Sequence, residues 1–146
     1  MIGFISKNNR TFFTVLLIVY IIVLLCLTVI FRDSPEKNAI QTEWLWGYYS
    51  KSKNVLLDNL WNFLVFVPIG LLVSLIVPKY RLLISSISGL FVSETIECSQ
   101  LICKKGTFDV DDLFNNTAGS FVGGLIVVLA IGIMYLVRKN EQKSVV

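Results

Sequence analysis

From Thr11 to Phe31 the chain runs for 21 residues without one charged side chain. At about 1.5 Å rise per helical residue that run is roughly 30 Å long, the hydrocarbon thickness of a bilayer. A soluble core helix rarely needs such a stretch, so the solvent this sequence is built for is lipid. Three further apolar blocks follow, at about 57–77, 82–103 and 113–137, with the charges collected between them. Composition agrees: 55% apolar and 16% charged residues, with a mean hydropathy of +0.72, exceed what a water-soluble chain of this size carries. The expected architecture is an all-α membrane protein, a single domain of about four transmembrane helices ending in a short unstructured cytoplasmic tail over 139–146.

The first block is expected to be a retained helix rather than a cleaved signal peptide. It exceeds a typical signal core, and no small-x-small cleavage site precedes the polar stretch from Arg32 to Glu36. Lys7, Arg10, Lys79, Arg81, Arg138, Lys139 and Lys143 flank the helices on one side. Arg32, Lys37, Lys51, Lys53, Lys104 and Lys105 fall on the other, most of them spread through a longer connection. The denser basic side is expected to be cytoplasmic, with both termini inside. The longer outer connection carries Trp44, Trp46, Tyr48 and Tyr49, whose amphipathic rings suit the headgroup layer.

Cys26, Cys98 and Cys103 show no zinc or disulfide spacing and are expected to act as small apolar packing residues. The absence of histidine excludes Ser-His and Cys-His nucleophile pairs. No cofactor motif, metal-ligand spacing or nucleic-acid-binding pattern is present.

Polar side chains inside the apolar blocks carry the functional signal, because an ionisable group at membrane depth costs about 2.5–3.5 kcal/mol on insertion scales. On the third helix Ser93, Glu97 and Gln100 share one stripe at i, i+4, i+7, with Glu94 at its border. On the second, Asp58 and Asn62 are i, i+4 with Asn59 beside them. The fourth opens with Asp109, Asp111 and Asp112, and Asp112 stands four residues before Asn116. With alternating helix directions these three sets lie near one membrane surface, the outer one. They would form one outer-leaflet cavity able to receive a polar headgroup.

Each set also has a structural alternative. The aspartates can cap the fourth helix and complement its dipole, Asn59 and Asn62 can bridge helices, and Glu97 can pair with Lys104 or Lys105. Two features concern shape. Pro68 cannot serve the carbonyl of Leu64 and should bend or loosen the second helix, whereas Gly119 and Gly123, in G-x-x-x-G spacing with Gly124 adjacent, allow close helix contact.

Asn62, Phe66, Pro68 and Gly70, then Ser93, Ile96, Glu97 and Gln100, then Asp109, Asp111, Asp112, Asn116, Thr117 and Gly119 resemble the three signature blocks of the VanZ-like family. The resemblance covers roughly 54–124. It implies a small bacterial cell-membrane protein associated with reduced susceptibility to teicoplanin and related lipoglycopeptides. The family commonly places an arginine just before the acidic block; Lys104 and Lys105 stand there instead, a point charge in place of a planar fork.

The leading functional expectation is a non-hydrolytic factor that binds or alters a membrane lipid or lipid-linked cell-wall precursor, so that a membrane-anchored lipoglycopeptide binds less. An alternative is a membrane-embedded enzyme using paired carboxylates, or Glu97 with Asp109, Asp111 and Asp112 around a hard cation. No activated nucleophile supports it. A scaffold whose polar face is filled by a partner's helix is a third possibility.

Overall fold

Without water to serve backbone amides, an apolar segment in lipid must satisfy its own hydrogen bonds, and each long block does so as a helix. A computed structural model describes residues 7–31, 40, 41, 49 and 53–144. Helix α1 spans Lys7–Leu25 and continues as a π-helical turn over Cys26–Ile30; α2 spans Lys53–Ile76, α3 Arg81–Ile102 and α4 Val110–Ser144. All four are long and apolar enough to cross a membrane. They form an all-α bundle, as the block pattern implies. Two-residue strands β1 (Ile40–Gln41) and β2 (Phe108–Asp109) pair in parallel, tying the connection after α1 to the turn before α4. The expectation for Trp44, Trp46 and Tyr48 lies outside the described residues, while Tyr49 is exposed.

Several element boundaries differ from the sequence expectation: α1 begins at Lys7 rather than 11 and α4 at Val110 rather than 113. Helix α2 begins at Lys53 rather than 57, which puts Asp58 and Asn59 within the helix rather than at its edge. Helix α4, at 35 residues, continues to Ser144 through the stretch expected to be an unstructured tail. Arg138, Lys139, Glu141, Gln142 and Lys143 are good helix formers, and the basic ones complement the C-terminal dipole. At about 52 Å the helix is longer than the hydrocarbon layer, so its polar end extends beyond it.

Helices α2 and α4 share the most extensive interface, α3 packs on both, and α1 leans chiefly on α2. Glycine permits the first of these contacts. A Cβ on Gly119 would lie 2.0 Å from the Phe63 carbonyl oxygen, and one on Gly123 would lie 2.1 Å from that of Val67. The G-x-x-x-G pair thus lets two backbones meet, as its spacing suggests. Helix α2 continues unbroken through Pro68.

Toward the other end, buried serines bridge the backbones. Ser85 Oγ donates to the Gly70 carbonyl at 3.1 Å and Ser120 Oγ to that of Ser85 at 2.8 Å. In lipid such bonds add to the dispersion contacts that small residues permit. Leu24, Phe66, Ile69, Val73 and Ile96 form the apolar core, while Phe12, Val15, Ile18, Val19 and Ile22 are exposed, as lipid-facing side chains should be. Cys98 and Cys103 are exposed and Cys26 half-buried. For the first two, the expected packing role does not hold, because Cys98 faces out of the bundle and Cys103 lies in the turn beyond the end of α3.

The end of α3 is closed by backbone hydrogen bonds. Lys105 N–H donates to the Gln100 carbonyl at 2.8 Å and Lys104 N–H to that of Leu101 at 3.3 Å. Lys104, at φ 55°, is the left-handed residue this Schellman turn requires. A non-glycine side chain is disfavoured there, so Lys104→Gly is expected to raise stability by about 1 kcal/mol, measured as thermal unfolding in detergent. An unchanged or lower unfolding temperature would contradict this description of the turn.

Candidate functional site

The polar residues of α2, α3 and α4 converge at one end of the bundle. Asn62 Nδ2 on α2 donates to Asp112 Oδ1 on α4 at 2.6 Å. Asn116 Nδ2 on α4 donates to Ser93 Oγ on α3 at 2.8 Å. Glu97 Oε2 on α3 accepts the N–H of Asp109 at 3.0 Å, joining the end of α3 to the start of α4. Gln100 Nε2 reaches α1, donating to the Thr28 carbonyl at 3.1 Å. Thr28 lies in the π-helical turn, so this bond fastens the end of the α1 segment to α3.

Burial follows the helical stripe. Ser93, Glu97 and Gln100 are at most 2% exposed, whereas Glu94 at the stripe's border is exposed. The stripe is covered by α4, the turn before it and α1 of the same chain. Gly106 makes room for Gln100: a Cβ there would lie 2.6 Å from Gln100 Oε1.

One of the three aspartates opening α4 acts as a cap. Asp109 Oδ1 accepts the Asp111 N–H at 2.8 Å, the geometry of an N-cap, and the acidic first turn complements the helix dipole. Burial pushes the Asp109 carboxyl above the usual aspartate range; the Asp111 N–H opposes that shift, and the Asp111 charge adds to it. Among the described residues no three acidic or cysteine side chains are grouped to hold a metal ion. The four-carboxylate cation cage is therefore not the arrangement formed, because Asp109 turns its carboxylate to the helix start and Glu97 turns its own to a backbone amide.

Two cavities meet at this cluster. One, of about 310 Å³, is walled by Tyr20, Val23, Leu24, Leu27, Thr28, Trp61, Val65, Phe66 and Ile96, with Asn62, Glu97, Gln100, Asp112 and Asn116 supplying its polar lining. The other, of about 400 Å³, is walled by Val55, Asp58, Asn59, Trp61, Asn62, Thr107, Asp109 and Asp112. They share Trp61, Asn62 and Asp112. The first is mainly hydrocarbon-lined and the second mainly polar, and both fall in the size range of ligand sites.

Seven of the nine residues singled out from the sequence line these cavities: Asp58, Asn62, Glu97, Gln100, Asp109, Asp112 and Asn116. Ser93 and Asp111 do not. Ser93 holds Asn116 in place, and Asp111 is buried with its amide on Asp109. The bridging alternative holds for Asn62, which joins α2 to α4. Asn59, at 6% exposure, instead lines the polar cavity. Trp61, Thr107, Thr28 and Tyr20 are further lining residues that the sequence does not single out. Thr28, a hydroxyl residue within an uncharged helix, is the one with a detectable signal.

The fold and this cluster define a multi-pass helical membrane protein with a polar site at one end of its bundle. The chain matches the VanZ/LLP1 family over residues 12–134, and it belongs to that family. No curated protein and no solved structure matches it.

Proposed function

We propose that the chain holds a membrane amphiphile, a lipid or lipid-linked cell-wall precursor, at the outer leaflet of the bacterial cell membrane, with both its termini in the cytoplasm. By occupying or altering that amphiphile it reduces susceptibility to teicoplanin and related lipoglycopeptides. One observation carries this reading: a polar cavity and a hydrocarbon-lined cavity adjoin through Trp61, Asn62 and Asp112. A headgroup joined to an acyl or isoprenoid chain has that division of polarity. The outward direction is supported by the basic flanks at the opposite end, Lys79 and Arg81 with Arg138 and Lys139.

Binding rather than turnover is favoured by how the carboxylates are engaged. Glu97 and Asp109 accept backbone amides and Asp112 accepts the Asn62 amide, which suits them to hold a headgroup more than to exchange protons with it. Glu97→Gln and Asp112→Asn, at unchanged membrane abundance, are expected to lower the inhibitory concentration of teicoplanin to that of a deletion strain. Inhibitory concentrations equal to those of the unaltered protein would refute the proposed role.

A further inference from the structure

The side chains around the paired cavities also restrict the headgroup, an inference that rests on the amphiphile-binding proposal. Asp58, Asp109 and Asp112 stand on the wall of the polar cavity, and Glu97 joins Asp112 in the adjoining one. Among the described residues, no lysine or arginine lines either cavity. A phosphate-bearing head without a cation would leave water for a field of its own sign.

Independent of the charges, two buried amides carry atoms without a hydrogen-bond partner. Asn116, 4% exposed, spends its Nδ2 on Ser93 and leaves Oδ1 unserved, and the residue lines the mixed cavity. Asn59, 6% exposed, has an unserved Nδ2, and the residue lines the polar cavity. Buried polar atoms normally find partners; both of these are closed off as the side chains stand, and a small rotation of each amide toward its cavity would let a ligand supply them. The Asn116 oxygen, near Glu97 and Asp112, asks for an N–H donor; the Asn59 amide asks for an oxygen.

We propose that the site selects an amphiphile whose head carries a primary ammonium group together with a carbonyl or hydroxyl oxygen. The ammonium, with three donors, takes the carboxylates and Asn116 Oδ1. The oxygen accepts from Asn59 Nδ2, and the attached chain lies along Leu24, Leu27, Val65 and Phe66.

Trp61, on the boundary of both cavities, supplies the reporter. The full chain carrying Trp44→Phe and Trp46→Phe is placed in phosphatidylcholine nanodiscs that contain a minor fraction of one lipid with brominated acyl chains. That lipid is either lysyl-phosphatidylglycerol, which has the ammonium and a carbonyl, or phosphatidylglycerol, which keeps hydroxyl oxygens but has no ammonium. A chain with Trp61→Phe and Ile133→Trp, whose tryptophan faces bulk lipid, gives the background at each composition. The lysyl lipid is expected to be enriched at Trp61 by about tenfold over phosphatidylglycerol, the ratio one good charge-assisted contact provides. Asp58→Asn, an exposed position that leaves the buried hydrogen bonds intact, should reduce that ratio by about threefold, and added salt should reduce it further.

Equal enrichment of both lipids, or preference for phosphatidylglycerol, overturns the headgroup assignment while leaving amphiphile binding in place. Quenching at Trp61 no greater than background for either lipid overturns both. Displacement of the lysyl lipid by soluble lysine methyl ester at matched concentration would show that a free amine suffices and overturn the requirement for a lipid chain.

Discussion

Gly123→Val is expected to prevent accumulation of folded protein, whereas Gly132→Val on the same helix should have no measurable effect. A Cβ at Gly123 would lie 2.1 Å from the Val67 carbonyl oxygen and 2.8 Å from the Leu71 amide nitrogen, both backbone atoms of α2. Neither can rotate away, so α2 and α4 would have to separate along the most extensive interface of the bundle. Overpacking of this kind costs about 3 kcal/mol or more, a large share of the stability of a small bundle. Gly132 has nothing within 4 Å of its would-be Cβ and faces outward. Yield of monodisperse protein and unfolding temperature in detergent measure the difference. Equal behaviour of the two variants would mean that the α2–α4 approach is looser than described.

The second large effect is expected at Glu97. Glu97→Ala removes the acceptor of the Asp109 N–H and empties space in a site where the side chain is 2% exposed. Loss of a hydrogen bond to a buried charged group, with the donor left unserved, amounts to about 3 kcal/mol. Glu97→Gln retains an oxygen at the same reach, so it should lose about 1 kcal/mol or less while still failing to confer teicoplanin tolerance. The pair separates architecture from function, because alanine loses both and glutamine only the second. If alanine unfolded at the same temperature as the unaltered chain, Glu97 would not be holding the turn between α3 and α4.

Periodicity and charge placement in the sequence account for much of this arrangement. An uncharged run of bilayer length has one stable form in lipid, so the helix count follows from where the charges fall. The i, i+4, i+7 stripe on α3 likewise puts Ser93, Glu97 and Gln100 on one face, and alternating helix directions bring that face to the starts of α2 and α4. What the sequence withholds is the division of labour within the cluster. Asp109, Asp111 and Asp112 look alike in the chain, yet Asp109 caps α4, Asp111 is buried behind it and Asp112 bonds Asn62 across to α2. Those roles depend on azimuth around the first turn of a helix and on which helix stands opposite.

The contribution of α1 is equally hidden in the sequence. Its residues form an uncharged run in which Thr28 alone among the cavity-lining positions carries a signal, yet Tyr20 and Leu24 join Thr28 in walling the mixed cavity. The π-helical turn at Cys26–Ile30, whose Thr28 carbonyl accepts from Gln100, has no sequence marker. Trp61 has none either: an aromatic at a helix entrance usually signals the headgroup layer, and only the neighbouring cavities give it a second part.

Every functional statement depends on the acids and amides at one end of the bundle opening away from the cytosol. Single cysteines in place of Asp58 and Thr107 at that end, and of Lys79 and Lys139 at the other, can be probed in intact cells with a membrane-impermeant maleimide once Cys26, Cys98 and Cys103 have been replaced by serine. Positions 58 and 107 are predicted to react from outside, and 79 and 139 only after permeabilisation. The reverse pattern would put the cluster at the cytoplasmic face and contradict an outer-leaflet site.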